Sequence, residues 1–493
     1  MSAEFLISAL LGQRRFPALR SLKKKMGMVL VCAFCAAAAI DSPAQTFTTL
    51  TNFNGTNGER PAYGPLLQGG NFTFYGTTSG GGANSDGTIF EVTPQGVLTT
   101  QYSFDVAHGA NPWDGLFLNV DDTFYGTTAS GGSNGDGVVF QFRPLGSVMN
   151  TLHSFDGTDG ESPYAAMVKT HTMNFYGTTS TGGAHGSGTI FVLTPAGALT
   201  TLYSFCTLTN CADGADPIAG LILATNSNLY GTTTSGGAHG SGTVFEVSSS
   251  GKLTTLYSFC SQTNCTDGDD PVAELIQGAD GNFYGTTYYG GTNGYGTVFR
   301  ISPTGRLTTL HSFGGADGQY PYASVLQATD GNFYGTTYEG GANGFGTVFE
   351  INSGGALTTL HSFAGPDGEY PYASLLQGTD GNFYGTTFGG GANGDGTVFT
   401  LSTGLSPFVE LVPTSDAAGV LITILGSNLI GASSVRFNGT PATFIIRSST
   451  ELKAIVPAGA TSGPVEVTVP GGTLNSSVSF QVEPRGVKTS DAR

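Results

Sequence analysis

A tetrapeptide, Tyr-Gly-Thr-Thr, recurs along most of the chain at nearly constant spacing. Its copies begin at Tyr75, Tyr125, Tyr176, Tyr230, Tyr284, Tyr334 and Tyr384, so successive copies are 50 to 54 residues apart. Each copy lies inside a longer unit, of which DGNFYGTTFGGGANGDGTVF at residues 380–399 is representative. A repeat of about 50 residues that is rich in short β-type runs is typical of propeller blades or of a solenoid.

The sixth unit divides into four candidate strands, at residues 321–327, 332–337, 346–351 and 357–363. Each is rich in Val, Ile, Thr, Tyr and Phe and is bounded by Gly, Asp, Asn or Pro. Four short antiparallel strands per unit, repeated seven times, predict an all-β fold, a seven-bladed β-propeller.

The two ends of the repeat region complement each other. Residues 48–53 resemble a fourth strand that has no partners before it, and the last unit, residues 371–401, lacks a fourth strand. We therefore predict that 48–53 completes the last sheet, which closes the ring and removes an exposed sheet edge. In such a meander the loops after the second and fourth strands share one face. That face receives the longer loops, where binding sites usually lie.

The N-terminal segment predicts export. Basic residues precede an apolar run at 26–40, and Ser42-Pro43-Ala44 follows it, so we interpret 1–44 as a signal peptide. The remainder has 12 Lys and Arg against 33 Asp and Glu, a net charge of −21. Such an acidic chain excludes nucleic acid and anionic lipid as partners. We expect an extracellular or cell-surface location, with the periplasm as the alternative, and no membrane insertion after cleavage.

Four cysteines remain outside the predicted signal peptide. They form two pairs of equal spacing in successive units, Cys206 with Cys211 and Cys260 with Cys265. In an exported chain such pairs predict two local disulfides. The alternative is a four-cysteine zinc site.

The repeat unit also resembles a known family. PYASLLQGTDGNFYGTTFGGGANGDGTVF at 371–399, with LTTLHSF between copies, is similar to the GloVer-type (Gloeobacter/Verrucomicrobia) tandem repeat over about 46–402. The resemblance implies an exported or surface-associated protein. It transfers no catalytic residue, because the family carries no established activity.

Residues 407–482 form a different segment without Tyr-Gly-Thr-Thr, Cys or Tyr. Short strands are predicted at 420–425, 434–437, 442–446, 451–456, 463–469 and 477–482. The runs ILGSNL at 424–429 and VRFNG at 435–439 resemble an IPT/TIG domain, which implies an immunoglobulin-like β-sandwich. The predicted organisation is a signal peptide at 1–44, the propeller at 45–403, the sandwich at 404–483 and a tail at 484–493.

A recurrent aspartate is the most frequent candidate ligand. Its copies, each followed by Gly, are Asp159, Asp213, Asp267, Asp317 and Asp367. Asp at such a site is typical of a turn in which the side chain bonds nearby amides. The alternative is a hard cation, and the densest carboxylate group, Asp267, Asp269 and Asp270, is our candidate for calcium. We expect no other cofactor.

Residues that occur in only one or two units are the other candidates. Trp113 could stack on a sugar ring while Asp114 accepts its hydroxyls. Asp114 and Glu274 could pair as glycoside cleavage requires. His185 and His239 lie in equivalent loops and could share a ligand, or simply pack in those loops. Drift of a degenerate repeat explains Trp113, Asp114 and Glu274 equally well.

Our leading hypothesis is an exported, non-catalytic binding protein that holds a glycan or a protein partner on the long-loop face. One alternative is an extracellular polysaccharide-acting enzyme, a hydrolase or lyase. The other is an architectural component of the cell envelope.

Overall fold

A computed structural model describes residues 45–61, 63–119, 121–170 and 174–483. The predicted signal peptide and tail lie outside these residues. The described chain is β-structure apart from short 3-10 segments at Gly70–Phe72, Val106–His108, Thr209–Cys211 and Thr263–Cys265. None of its helices has the length and apolar character needed to cross a membrane.

The repeat region folds into successive antiparallel sheets, seven of them within the described residues. We name the strands of each sheet inner, second, third and outer. The inner strands are Leu67–Gln68, Phe117–Leu118, Val168–Lys169, Ile222–Leu223, Ile276–Gln277, Leu326–Gln327 and Leu376–Gln377. The second strands are Phe74–Gly80, Phe124–Thr128, Phe175–Thr179, Leu229–Thr233, Phe283–Thr287, Phe333–Thr337 and Phe383–Thr387. In the first sheet, Glu59–Pro61 also pairs with the second strand.

The third strands are Thr88–Val92, Val138–Arg143, Thr189–Leu193, Thr243–Val247, Thr297–Ile301, Thr347–Ile351 and Thr397–Ser402. The outer strands are Leu98–Ser103, Val148–Ser154, Leu199–Ser204, Leu253–Ser258, Leu307–Ser312 and Leu357–Ser362, and Thr46–Asn52 serves the last sheet. The repeated four-stranded sheets confirm the predicted propeller-like, all-β architecture.

The inner strand is much shorter than predicted. The prediction was 321–327 in the sixth unit, whereas only Leu326–Gln327 pairs with the second strand. Pro321 has no N–H to donate. The carbonyl of Ala323 accepts a hydrogen bond from Thr286 of the preceding sheet, at 3.0 Å. The start of this segment therefore bonds to a neighbouring sheet instead of to its own.

The Tyr-Gly-Thr-Thr motif joins one sheet to the next. In the sixth unit the Tyr334 ring lies on Phe383 of the following sheet, with 4.2 Å between centroids. Thr336 donates to the carbonyl of Ala373 in that same sheet, at 3.2 Å. Within its own sheet, the hydroxyl of Thr337 lies 2.9 Å from that of Thr347.

The same contacts recur around the ring. The motif tyrosine packs on a phenylalanine of the next sheet at 4.1 to 4.7 Å in six pairs: Tyr75–Phe124, Tyr125–Phe175, Tyr230–Phe283, Tyr284–Phe333, Tyr334–Phe383 and Tyr384–Phe74. The last pair joins the last sheet to the first. Apolar clusters also span each successive pair of sheets, including this one. The sheets therefore form a closed ring.

The first described strand completes the last sheet, as predicted. Thr46–Asn52 runs antiparallel to Thr397–Ser402, from Thr46 opposite Ser402 to Asn52 opposite Thr397. Phe53, which follows the strand, is fully buried and meets Phe90 of the first sheet edge-on at 5.0 Å. The N-terminal strand thus contacts both sheets at the closing junction.

The C-terminal segment is a β-sandwich. One sheet contains Glu410–Val412, Leu421–Leu425, Glu451–Ile455 and Phe444–Ile446; the other contains Thr440–Pro441, Ser434–Phe437, Val465–Val469 and Gly472–Asn475. Ser415–Ala417 pairs in parallel with Gln481–Glu483. The facing sheets bury one core, which includes Ile424, Phe437 and Val467. The immunoglobulin-like prediction is confirmed, although the strand predicted at 477–482 forms only at its end.

The sandwich contacts the propeller on the face of the tight turns. Phe408 donates from its backbone to the carbonyl of Thr379, at 3.1 Å, and Thr379 lies in the turn between the inner and second strands of the last sheet. The carboxylate of Glu451 lies beside Gly70, in the equivalent turn of the first sheet. These contacts leave the long-loop face on the opposite side of the ring.

The motif glycine should tolerate no side chain. A Cβ at Gly335 would stand 2.6 Å from the Phe349 ring. We expect Gly335→Ala to lower the free energy of unfolding by about 1–3 kcal/mol, because a close-packed core resists added atoms. Chemical denaturation measures this change. Gly354→Ala is the control, since its Cβ meets only the amide oxygen of exposed Asn352, at 3.2 Å. Equal losses in both variants would contradict the account of the motif.

Candidate functional site

One backbone position connects neighbouring sheets on the long-loop face. It is the residue before the proline that opens each inner segment, and its φ is left-handed, between 53° and 60°, in Arg60, Asn111, Ser162, Asp216, Asp270, Tyr320 and Tyr370. Tyr370 donates to the carbonyl of Phe345 in the preceding sheet's long loop, at 2.9 Å. It accepts a hydrogen bond from the backbone N–H of Phe388, at 3.0 Å. The backbone at this position is therefore hydrogen-bonded both to the preceding sheet and to the residue after the motif of its own sheet.

Side chains at this position and at the residue after Tyr-Gly-Thr-Thr depart from the repeat in one part of the ring. After the motif, the first four units carry Ser79, Ala129, Ser180 and Thr234, and the last three carry Tyr288, Tyr338 and Phe388. Before the proline, the last two units carry Tyr320 and Tyr370, where the other units carry Arg60, Asn111, Ser162, Asp216 and Asp270. The aromatic departures thus gather on the last three sheets.

These rings stack across the junctions between sheets. Tyr288 lies on Tyr320 with centroids 5.1 Å apart, and Tyr338 lies beside Tyr370 at 4.9 Å. At the next junction the guanidinium of Arg60 lies 5.9 Å from the Phe388 centroid. All five rings are half-buried, so part of each remains accessible. We name Tyr288, Tyr320, Tyr338, Tyr370 and Phe388 the aromatic arc.

A groove of about 690 Å³ lies along one end of this arc. Its aromatic lining is Tyr338, Phe345, Tyr370 and Phe388, and its charged lining is Glu59, Glu369, Asp395 and Arg60. The long-loop glycines 389–391 form another part of the wall. We name this feature the arc groove. It combines flat apolar surfaces with hydrogen-bond acceptors, as ligand sites do.

Trp113 belongs to a second group of rings near the axis. It stacks on Tyr63 at 4.7 Å and meets Tyr164 edge-on at 6.1 Å. Tyr63 in turn stacks on Tyr322 at 4.8 Å. Trp113 is therefore packed among other rings, and it does not line the arc groove.

Both carboxylate oxygens of Asp114 accept hydrogen bonds from the backbone. One oxygen accepts from the N–H of Gly115 and the other from the N–H of Ala166, both at 2.6 Å. Burial raises the pKa of Asp114 to about 6, despite these two hydrogen bonds. Binding of a sugar by Asp114 together with Trp113 stays a prediction.

The structure does bring Glu274 into electrostatic interaction with Asp114, although they lie three sheets apart. Burial, and then the charge of Asp114, raise the pKa of Glu274 to about 8. A Cβ on Gly220 would stand 3.3 Å from the Glu274 carboxyl carbon, so a glycine there leaves room for the acid. The pair lies inside the ring, and neither residue lines the arc groove.

The recurrent aspartate organises its own loop. Asp267 is buried and accepts from the hydroxyl of Tyr257 at 2.7 Å and from the N–H and hydroxyl of Ser261 at 2.9 and 2.8 Å. Burial raises the pKa of Asp267, but these hydrogen bonds outweigh burial and hold it below its ordinary value. Asp159, Asp317 and Asp367 accept in the same way from His153, His311 and His361. These aspartates therefore stabilise the turns of their own loops.

The calcium candidates are not assembled as a ligand set. Burial, and then the neighbouring charge of Asp269, raise the pKa of Asp270 to about 6. Among the described residues, no three His, Cys, Asp or Glu side chains come together in a group that could hold a metal. Calcium at Asp267, Asp269 and Asp270 stays a prediction.

The remaining candidates lie on the long loops. His185 and His239 are exposed in equivalent loops of successive sheets, and no hydrogen bond between them occurs in the part of the chain that the structure describes. Cys206 is bonded to Cys211, and Cys260 to Cys265. The two predicted disulfides are confirmed.

The aromatic arc is what sequence reasoning missed. Its signal was present in the sequence: the residue after Tyr-Gly-Thr-Thr is aromatic in the last three units only, and the residue before the proline is aromatic in the last two only. A position-by-position comparison of the seven units would have found it. The groove itself needed coordinates, because Arg60 and Asp395 are far apart in sequence.

The axial carboxyls predict a pH-dependent stability. Because the pKa of Glu274 is raised on folding, the folded state binds the additional proton, and stability must fall as pH rises from about 4.3 to 8. Glu274→Gln should remove this fall and be more stable than the parent at pH 8.5 by on the order of 2 kcal/mol. Thermal unfolding between pH 5 and 9 measures both profiles. Parallel profiles would contradict the raised pKa of Glu274.

Comparisons with known proteins agree with the repeat and the sandwich. The Gloeobacter/Verrucomicrobia repeat matches residues 37–222, 174–325 and 257–420, and the IPT/TIG domain matches 407–482. No curated protein matches the chain significantly.

Solved structures give remote likenesses. The extracellular domain of a putative hybrid two-component system from Bacteroides thetaiotaomicron is 13% identical with a TM-score of 0.49; the match covers 90% of this chain and 60% of that one. A structural genomics protein of unknown function from the same organism is 15% identical with a TM-score of 0.42, covering 73% and 76%. A gluconolactonase from Xanthomonas campestris is 11% identical with a TM-score of 0.39, covering 74% and 92%. We draw no function from these likenesses. The repeat matches span most of the sequence, and the chain belongs to the Gloeobacter/Verrucomicrobia repeat family, with a C-terminal IPT/TIG domain.

Proposed function

We propose that this protein is an exported, non-catalytic binding protein that holds a glycan or a protein partner on the long-loop face of its propeller. The observation that carries the proposal is the gathering of aromatic departures into the aromatic arc. A residue that the scaffold needs appears in every unit, whereas these rings appear in three units and leave part of their surface accessible.

The backbone at the arc supports a role beyond folding. Tyr320 and Tyr370 have φ of 56° and 57°, a region in which Asn and Asp are favoured over bulky side chains. Other units place Asn111, Asp216 and Asp270 there. Bulky residues in strained backbone are frequent at functional sites, where the local cost is offset by binding.

Export is supported by the two disulfides on the long-loop face, since such bonds persist in oxidising compartments. The contacts of the sandwich with the tight-turn face leave the long-loop face available to a partner.

A polysaccharide-acting enzyme is the second candidate, because Asp114 and Glu274 interact electrostatically, as paired catalytic carboxyls do. It is less well supported, since the Asp114 carboxylate is bonded to two backbone amides and neither acid lines the arc groove. An architectural role alone would not require an aromatic groove.

Array binding tests the proposal. We expect the purified full-length protein to bind at least one component of a glycan array or of an array of extracellular proteins. Silence across both arrays would contradict a binding function.

A variant in the aromatic arc then tests whether the long-loop face is the binding surface. Tyr370→Asn should weaken binding of the array hit by about tenfold, because one lining ring is lost. Its melting temperature should change little, since Asn suits the left-handed backbone. The matched control is Leu145→Asn on the tight-turn face, where Leu145 is 95% exposed. Equal effects of the two variants on affinity would contradict the assignment to the long-loop face.

A further inference from the structure

We propose that the arc groove binds a neutral glycan chain. This inference rests on the proposed function and deepens it, because it names one site and one class of ligand. The ligand class follows from three properties of the groove: its rings, its charges and its shape.

The rings provide flat apolar platforms. Tyr338, Tyr370 and Phe388 line the groove, and each packs on a neighbouring ring. Tyr372 lies 4.5 Å from Tyr338 and 5.0 Å from Phe388, and Tyr370 lies 4.9 Å from Tyr338. Rings that are already ordered lose little conformational freedom on binding. A pyranose has one face of C–H groups, which carry slight positive charge and pack on the negative face of an aromatic ring.

The charges select a ligand with hydroxyl groups and no net negative charge. Glu59, Glu369 and Asp395 are hydrogen-bond acceptors that carboxylates or sulfates cannot use, whereas sugar hydroxyls can donate to them. Arg60 is the single basic residue in the lining, and its guanidinium lies over Phe388. Three acids against one base repel uronates and sulfated glycans.

The shape favours a glycan over a folded protein. A groove of about 690 Å³ lies in the range of small-ligand sites, about 300–1,000 Å³. A stable protein partner would instead cover about 800 Å² of surface, with few charged residues at the centre. Here four charged side chains lie around a few rings, which suits a ligand that donates many hydrogen bonds.

The experiment is calorimetric titration of the full-length protein with neutral trisaccharides of the gluco, manno and xylo series, and with a trigalacturonate. We expect at least one neutral trisaccharide to bind and the trigalacturonate not to bind. Phe388→Ser should lower the affinity for the neutral trisaccharide by about tenfold or more, because a stacking platform is lost. The change is compatible with the fold, since Ser79 and Ser180 occupy the equivalent position in other units.

The matched control is Tyr289→Ser. Tyr289 is 44% exposed on the long-loop face but does not line the groove, and Ser130 and Ser235 stand at its equivalent position. We expect its affinity to stay within about twofold of the parent, because it leaves the groove intact. Circular dichroism melting of both variants checks that each is folded.

The outcomes separate this inference from the proposed function. If a neutral trisaccharide binds, and Phe388→Ser weakens that binding while Tyr289→Ser preserves it, the inference and the proposed function are both supported. If a neutral trisaccharide binds and the two variants affect its affinity equally, the arc groove is not its site, but the proposed binding function still stands. Binding of trigalacturonate alone, or of only a protein on the arrays, overturns the neutral-glycan inference and leaves the function. Silence in every titration and array overturns both.

Discussion

The contact between one sheet and the next, made by Tyr-Gly-Thr-Thr, is the interaction on which this molecule depends. Each residue of the motif has a separate part in it, as the sixth unit shows. Tyr334 and Thr336 reach the next sheet, Gly335 admits the Phe349 ring, and Thr337 bonds to its own third strand. Because adjacent sheets pack by the same atoms at successive junctions, a ring results, and the motif is repeated for structural reasons.

That ring leaves a few positions free to vary. The residue before the proline and the residue after the motif keep the same backbone hydrogen bonds in successive units while their side chains change. At Tyr370 and Phe388 these hydrogen bonds hold the backbone and do not involve the side-chain rings. A scaffold with repeated junctions can therefore place a different chemical surface at each junction. In this protein the rings lie on three neighbouring sheets, beside Arg60 of the first.

Much of the fold could be predicted from the sequence, because repetition and period-two alternation are strong local signals. The closing strand followed from a missing fourth strand in the last unit, and the disulfides from matching pairs such as Cys206 with Cys211. The inner strands could not be delimited, because Ala323 bonds to a neighbouring sheet and no local pattern records that. The candidate site was less predictable. Trp113 was conspicuous as the single tryptophan, yet it packs among other rings, whereas Phe388 was one of many phenylalanines.

The pair Asp114 and Glu274 illustrates the same limit. Their residue types suggested a pair, but only the closed ring brings residues of sheets three apart close enough to interact electrostatically. The closed ring is therefore the central claim, since the axis, the long-loop face and the arc groove all follow from it. Hydrogen exchange of the full-length protein, read by mass spectrometry, tests it most directly. Amides of Thr46–Asn52 should exchange as slowly as those of Thr397–Ser402, with which they pair; rapid exchange throughout Thr46–Asn52, with Thr397–Ser402 behaving as an open edge, would contradict the closed ring.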